Sequence, residues 1–190
     1  MATTPDRIQQ HPDKRIRTFG TQRNHMNKIR NLVENRWVEG LGQGTELHHA
    51  VTGEVVGVAS TDGVDFESAY RFAREVGGLA LRNMTFQERG RMLKRLALHL
   101  HGMKDQFYAV SWATGATKVD SWIDIEGGIG NLFANASLRR RLPDTPFATD
   151  GEFVPLSKEG TFGGHHLLVP KRGVAVHINA FNFPVWGMLE

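Results

Sequence analysis

The chain predicts an α/β fold, and three observations carry that prediction. Residues 32–60 show strand-like runs broken by glycine-marked turns. Residues 61–141 place apolar side chains at helical spacing in three successive segments. Residues 174–178 (Val-Ala-Val-His-Ile) form a short, largely β-branched run that suits a strand buried on both faces. Residues 179–184 then turn, with Pro184 placed to open a helix. A strand leading into a helix is the first half of a parallel βαβ unit, which needs a second strand to pair with. None follows within the 190 residues, so the pattern is that of the front part of a larger α/β protein.

Taken in order, residues 1–27 are polar and without periodicity, and predict a disordered basic tail. Met26 is an alternative start. A strand is expected over residues 31–38, then a loop marked by Gly40, Gly42 and Gly44. Strands over 45–50 and 54–59 flank a Thr52-Gly53 turn. Thr61 or Asp62 is the expected cap of the next helix. Phe66, Ala69, Tyr70, Ala73 and Val76 share its face, and Gly77-Gly78 are expected to stop it. Thr85 and Glu88 have capping-box spacing. Behind them Met92, Leu93, Leu96, Ala97, Leu100 and Met103 form an apolar stripe.

A further helix follows Thr114-Gly115, with Trp122, Ile125, Ile129, Leu132, Phe133 and Ala136 in phase. Gly127, Gly128 and Gly130 cost that helix up to about 1 kcal/mol each relative to alanine. Close packing of a neighbour, or a kink, is the expected compensation. Arg139-Arg140-Arg141 suit its C-terminal end through the helix dipole. The proline-rich stretch 143–171 predicts a connector with one strand near residues 165–169.

Composition removes several functions. There is no cysteine, so disulfides, thiolate metal sites and a cysteine nucleophile within these residues are excluded. The formal charge of +3 has its basic surplus in residues 1–30, where seven Lys and Arg face Asp6 and Asp13. The remainder is slightly acidic, which argues against a phosphate-neutralising face and so against nucleic acid as a partner. No apolar run reaches the ~20 residues of a membrane span, and a cytoplasmic protein is expected. The adjacent pairs His48-His49 and His165-His166 point to opposite faces on strands, and no metal site is predicted. The glycine-rich residues 160–164 precede a strand, where a phosphate cradle would open a helix.

The segment Phe181-Asn182-Phe183-Pro184 resembles the Trp-Asn-Phe-Pro motif of the aldehyde dehydrogenase superfamily, with Phe181 in the place of Trp. The run from Arg172 to Leu189 is closer to one branch. That branch holds the bifunctional ring-opening enzymes of phenylacetate breakdown and related semialdehyde dehydrogenases acting on CoA thioesters. The similarity covers roughly residues 32–190, and Thr52-Gly53-Glu54 matches the turn of the family's opening hairpin.

The resemblance implies an aldehyde dehydrogenase-like fold: a β-hairpin, a helical segment and the first strand of a Rossmann-type parallel sheet. Residues 28–190 would be the truncated N-terminal part of the cofactor-binding domain. The substrate would be a small-molecule aldehyde, the cofactor NADP or NAD, and the full-length protein a homo-oligomer. By the same resemblance Asn182 is catalytic, its side-chain N–H donating to the aldehyde oxygen as a thiol adds. Ile178, Asn179 and Phe181 would line the dinucleotide. The chain alone would be inactive, because its nucleophile lies elsewhere. Two other readings stand beside this one: a truncated product acting only by binding an intact relative, and a nucleic-acid binder using the basic tail.

Overall fold

The computed structural model describes residues 27–190; the tail over residues 1–26 lies outside them. A four-stranded sheet comes first, built from β1 (Lys28–Val33), β2 (Arg36–Glu39), β3 (Thr45–His48) and β4 (Val55–Ala59) in the order β2-β1-β4-β3. Where one strand was expected over residues 31–38, a hairpin forms, with Val33 paired to Arg36. Glu34 and Asn35 both take positive φ, at 50° and 62°, as a two-residue hairpin turn demands. Asn35 suits that conformation. Glu34 is held there from outside, because its carboxylate accepts from Ser68 Oγ and, at 2.8 Å, from Arg36. Those two hydrogen bonds, Ser68 first, keep the Glu34 carboxyl below its ordinary range.

The expected Thr52-Gly53 turn joins β3 to β4, with Gly53 at φ 74°. Buried His49 organises it by accepting from the Val51 and Thr52 amides through Nδ1, at 3.1 and 3.3 Å. Its ring lies 4.1 Å from that of Trp112, and the Ala50 amide donates to the Ala113 carbonyl at 2.9 Å. The sheet is thereby tied to the helices.

The helical part comprises α1 (Phe66–Phe72), α2 (Gly78–Asn83), α3 (Phe86–Gly102), α4 (Lys104–Ser111) and α5 (Lys118–Ser137). The cap of α1 is Asp65, accepting from the Ser68 amide at 2.9 Å, in place of the expected Thr61 or Asp62. Gly77-Gly78 do not stop the helix. A π-helical turn over Ala73–Gly77 passes directly into α2. Glycine permits a stop without enforcing one, and Leu79, Ala80, Leu81 and Arg82 are good helix formers. The chain leaves the helix only at Met84, and Thr85 caps the next one.

The capping box of α3 forms as expected, with Glu88 N to Thr85 Oγ1 at 3.1 Å and Thr85 N to Glu88 Oε2 at 2.8 Å. Helix α5 carries a second box, Thr117 with Asp120. The core lies between α3 and α5, where Ala97, Ile125, Ile129 and Leu132 are buried. Leu96, on the predicted stripe, stays exposed. Helix α5 ends in a 3₁₀ turn over Leu138–Arg141, where Arg139 donates to the Ala136 carbonyl at 2.6 Å.

The connector holds two strands instead of one. β5 (Ala148–Pro155) and β6 (Gly163–Leu168) form an antiparallel pair with an irregularity between Asp150 and Val154. The larger correction concerns residues 174–178, which are not a strand and are not buried. Val176 is 83% and Ile178 94% exposed. A strand exists through its ladder to a neighbour, and among the described residues none lies beside this run. The chain regains regular structure in α6 (Pro184–Leu189), with proline in its first turn as expected.

Candidate active site

Asn182 sits on the bend immediately before α6, and what fixes that bend is helix α5. Asp124 is buried in α5 and turns its carboxylate toward the start of α6. Its Oδ1 accepts from the Trp186 amide at 2.7 Å, and its Oδ2 from the Val185 amide at 3.3 Å. Such a carboxylate satisfies backbone donors that no helical carbonyl can reach.

Beside it α5 is stripped of side chains. A Cβ on Gly127 would fall 2.2 Å from the Trp186 ring, and one on Gly128 2.9 Å from the Trp186 Cα. The close-packing reading of these glycines therefore holds at Gly127 and Gly128, and α5 runs unbroken from Lys118 to Ser137. Gly130 plays no part in it, having open space around its Cβ position. Val185 and Leu189 complete the seat by packing on the core.

So held, Asn182 and Phe183 form one wall of a cleft of about 290 Å³. Thr114, Gly115, Ala116 and Asp120, at the start of α5, form the other. The Asp120 carboxylate is engaged by the Thr117 amide and hydroxyl, at 3.2 and 2.6 Å, and serves the helix cap. Within the cleft, the side-chain amide of Asn182 is the group suited to donate to a carbonyl or alkoxide oxygen.

The other expected site residues are not gathered there. Ile178, Asn179 and Phe181 are exposed on the irregular segment, and the cleft beside Asn182 is lined without them.

A larger cleft of about 690 Å³ lies between α4 and α5, lined by Lys104, Tyr108, Val119, Trp122 and Glu126 among others. Glu126 accepts from Lys104 Nζ and from Tyr108 Oη, both at 3.1 Å. The Lys104 hydrogen bond, more than that of Tyr108, holds the Glu126 carboxyl below its ordinary value. Burial first, and then the Glu126 carboxylate, push the Tyr108 hydroxyl upward.

Comparison with known proteins decides what the motif belongs to. The profile of the aldehyde dehydrogenase family matches residues 37–189.

The chain belongs to the aldehyde dehydrogenase family.

It is also similar to the 3,4-dehydroadipyl-CoA semialdehyde dehydrogenase of Aromatoleum evansii, with 39% identity over 164 residues. That alignment takes in 86% of this chain and 32% of the relative, so the chain spans about a third of the relative's length. Both the family and its CoA-semialdehyde branch were expected from residues 172–189. As an aldehyde dehydrogenase-family chain it is of oxidoreductase descent, and its mixed strands and helices agree with that family's α/β character. Among the described residues no helix is long and apolar enough to cross a membrane.

Sequence reasoning missed Asp124 and the Lys104–Tyr108–Glu126 cluster. A signal for the first was present: an aspartate between Ile123 and Ile125 in an apolar helix is a charge that needs a partner.

Proposed function

We propose that this chain forms part of a nicotinamide-dependent dehydrogenase. It would oxidise a CoA-linked semialdehyde to the acid in aromatic catabolism of the phenylacetate type. Family membership, the name of the similar protein and the position of Asn182 in a cleft at the mouth of α5 support the reading. The last of these carries it: a neutral N–H donor on backbone anchored next to a cleft is what an aldehyde oxygen needs as charge develops on it. In this proposal Asn182 donates to that oxygen while a thiol adds to the carbonyl carbon. These 190 residues contain no cysteine, so the thiol comes from outside them, and the chain alone does not turn over substrate.

When bound, NAD or NADP supplies the hydride acceptor. The residues present suit one wall of its site. Val176, Ile178 and Phe181 are exposed and offer an apolar edge for a flat ring, with Asn179 beside it. Residues 160–164 lead into β6 and offer its phosphates no helix start. We place the complete protein in the cytoplasm as a homo-oligomer.

The test is Asn182→Ala in the complete enzyme, followed by steady-state kinetics with a CoA-linked semialdehyde. The expected result is a kcat lower by about 10²–10³ with little change in cofactor binding. Unchanged turnover would remove Asn182 from the chemistry.

A second reading draws on the same exposed edge, namely that the chain acts as it stands by docking on an intact relative. Purification of the chain together with that relative would favour it.

A further inference from the structure

We infer that Asp124 is the positioning residue of this site, setting where the Asn182 amide points. The inference rests on the proposed role of Asn182 and adds the group that makes that role possible.

Three observations meet at Asp124. Asp124 is 4% exposed as a residue, in a helix whose neighbouring side chains form the core. A buried carboxylate persists only with donors around it, and the backbone amides of Val185 and Trp186 are the donors it has. They are 61 and 62 residues away in sequence, so the contact is tertiary and no local turn would produce it.

The cleft itself supplies the second observation. Asp120, on the wall opposite Asn182, stands one helical turn before Asp124 on α5. The helix that contributes Asp120 to one wall of the cleft therefore also anchors the other wall, through a charge-assisted contact of 2.7 Å. The third is the bare surface at Gly127 and Gly128, where Trp186 already lies against the helix. Helix α6 has no room to approach α5 further, and Asp124 keeps it from withdrawing. Asn182 stands three residues before Val185, on the far side of Pro184, whose φ is fixed. A shift of the cap is thus transmitted to Asn182 with little slack.

The decisive experiment is a double-mutant cycle in the complete enzyme, joining Asp124→Asn with Asn182→Ala. Asparagine keeps the shape and one acceptor oxygen but turns an N–H₂ toward an amide donor. A misplacement of about 1 Å costs up to roughly 10²-fold in rate. The expected loss in kcat for Asp124→Asn alone is therefore about 10- to 10²-fold, with cofactor KM unchanged. In the Asn182→Ala background the same change should alter the residual rate by no more than about twofold, since no amide remains to be aimed. Equal losses in both backgrounds would mean a general structural role and would overturn the inference. So would wild-type kcat for Asp124→Asn.

If Asn182→Ala proves silent, the functional reading fails and positioning fails with it. That outcome is recognisable because Asp124→Asn would then speed hydrogen exchange at the Val185 and Trp186 amides without lowering kcat. Should Asp124→Asn not fold, Asp124→Glu keeps the charge, moves the carboxylate by about one bond length, and enters the same cycle.

Discussion

Two neighbouring stretches of the C-terminal region met opposite fates. Residues 174–178 have the stronger local pattern for their expected structure, yet they lie bare and irregular, with Ile178 94% exposed. Helix α6 is only 6 residues long and far too short to hold on propensity. It is nevertheless formed and seated. The difference lies in the partner. Helix α5 offers α6 a buried carboxylate, a glycine surface and apolar neighbours, whereas among the described residues nothing offers residues 174–178 a ladder. Local pattern states what a segment is suited to become, and the partner decides whether it does.

The contrast can be broken most forcefully at Asp124. Asp124→Ala leaves the Val185 and Trp186 amides without their acceptor, each worth about 1–3 kcal/mol. Urea unfolding should register a loss of roughly 2–6 kcal/mol. A loss near zero would mean that α6 does not depend on α5. Next in size is Gly128→Ala, whose new methyl meets the Trp186 backbone. Overpacking of this kind costs about 1–3 kcal/mol, while Gly130→Ala, with open space at its Cβ, should gain up to about 1 kcal/mol. Opposite signs two positions apart on one helix would locate the seam; equal signs would dissolve it.

The bare stretch supplies the smallest effect. Ile178→Ser should change unfolding by no more than about 0.5 kcal/mol in either direction. A loss matching that of Gly128→Ala would show the segment to be packed, and the comparison would collapse.

A last prediction concerns acid. Glu126 is held below its ordinary value of 4.5 by Lys104. A carboxyl depressed on folding stabilises the fold above its unfolded pKa, and that stabilisation is lost as pH falls through the lower folded value. Wild type should therefore exceed Glu126→Gln in stability near neutrality and lose that advantage in acid, as pH-dependent melting would reveal.

What could be seen in the sequence follows the same division. The Thr85–Glu88 box, the Thr52-Gly53 turn, the phase of α5 and Pro184 at the start of α6 are governed by residues a few positions apart, and each formed as expected. Glu34 escaped notice because the hydroxyl that helps fix its turn, Ser68, is 34 residues away. Asp65 displaced Thr61 and Asp62 as a cap because helix entry is set by where the chain turns off the sheet. Asn182 was legible as a motif. Asp124 was legible only as a charge in an apolar helix, since its amide partners belong to the backbone and carry no residue signature of their own.

The cap at α6 also bears on electrostatics. Aligned peptide dipoles leave the start of a helix partly positive, and such an end can steady a developing negative charge. Here Asp124 already spends that positive end on its own carboxylate. In the proposed reaction, an oxygen gaining charge beside Asn182 would thus receive little help from the helix behind it. Under the proposed function, what the described residues offer such an oxygen is then the replaceable Asn182 side chain instead of helix backbone that every residue would supply.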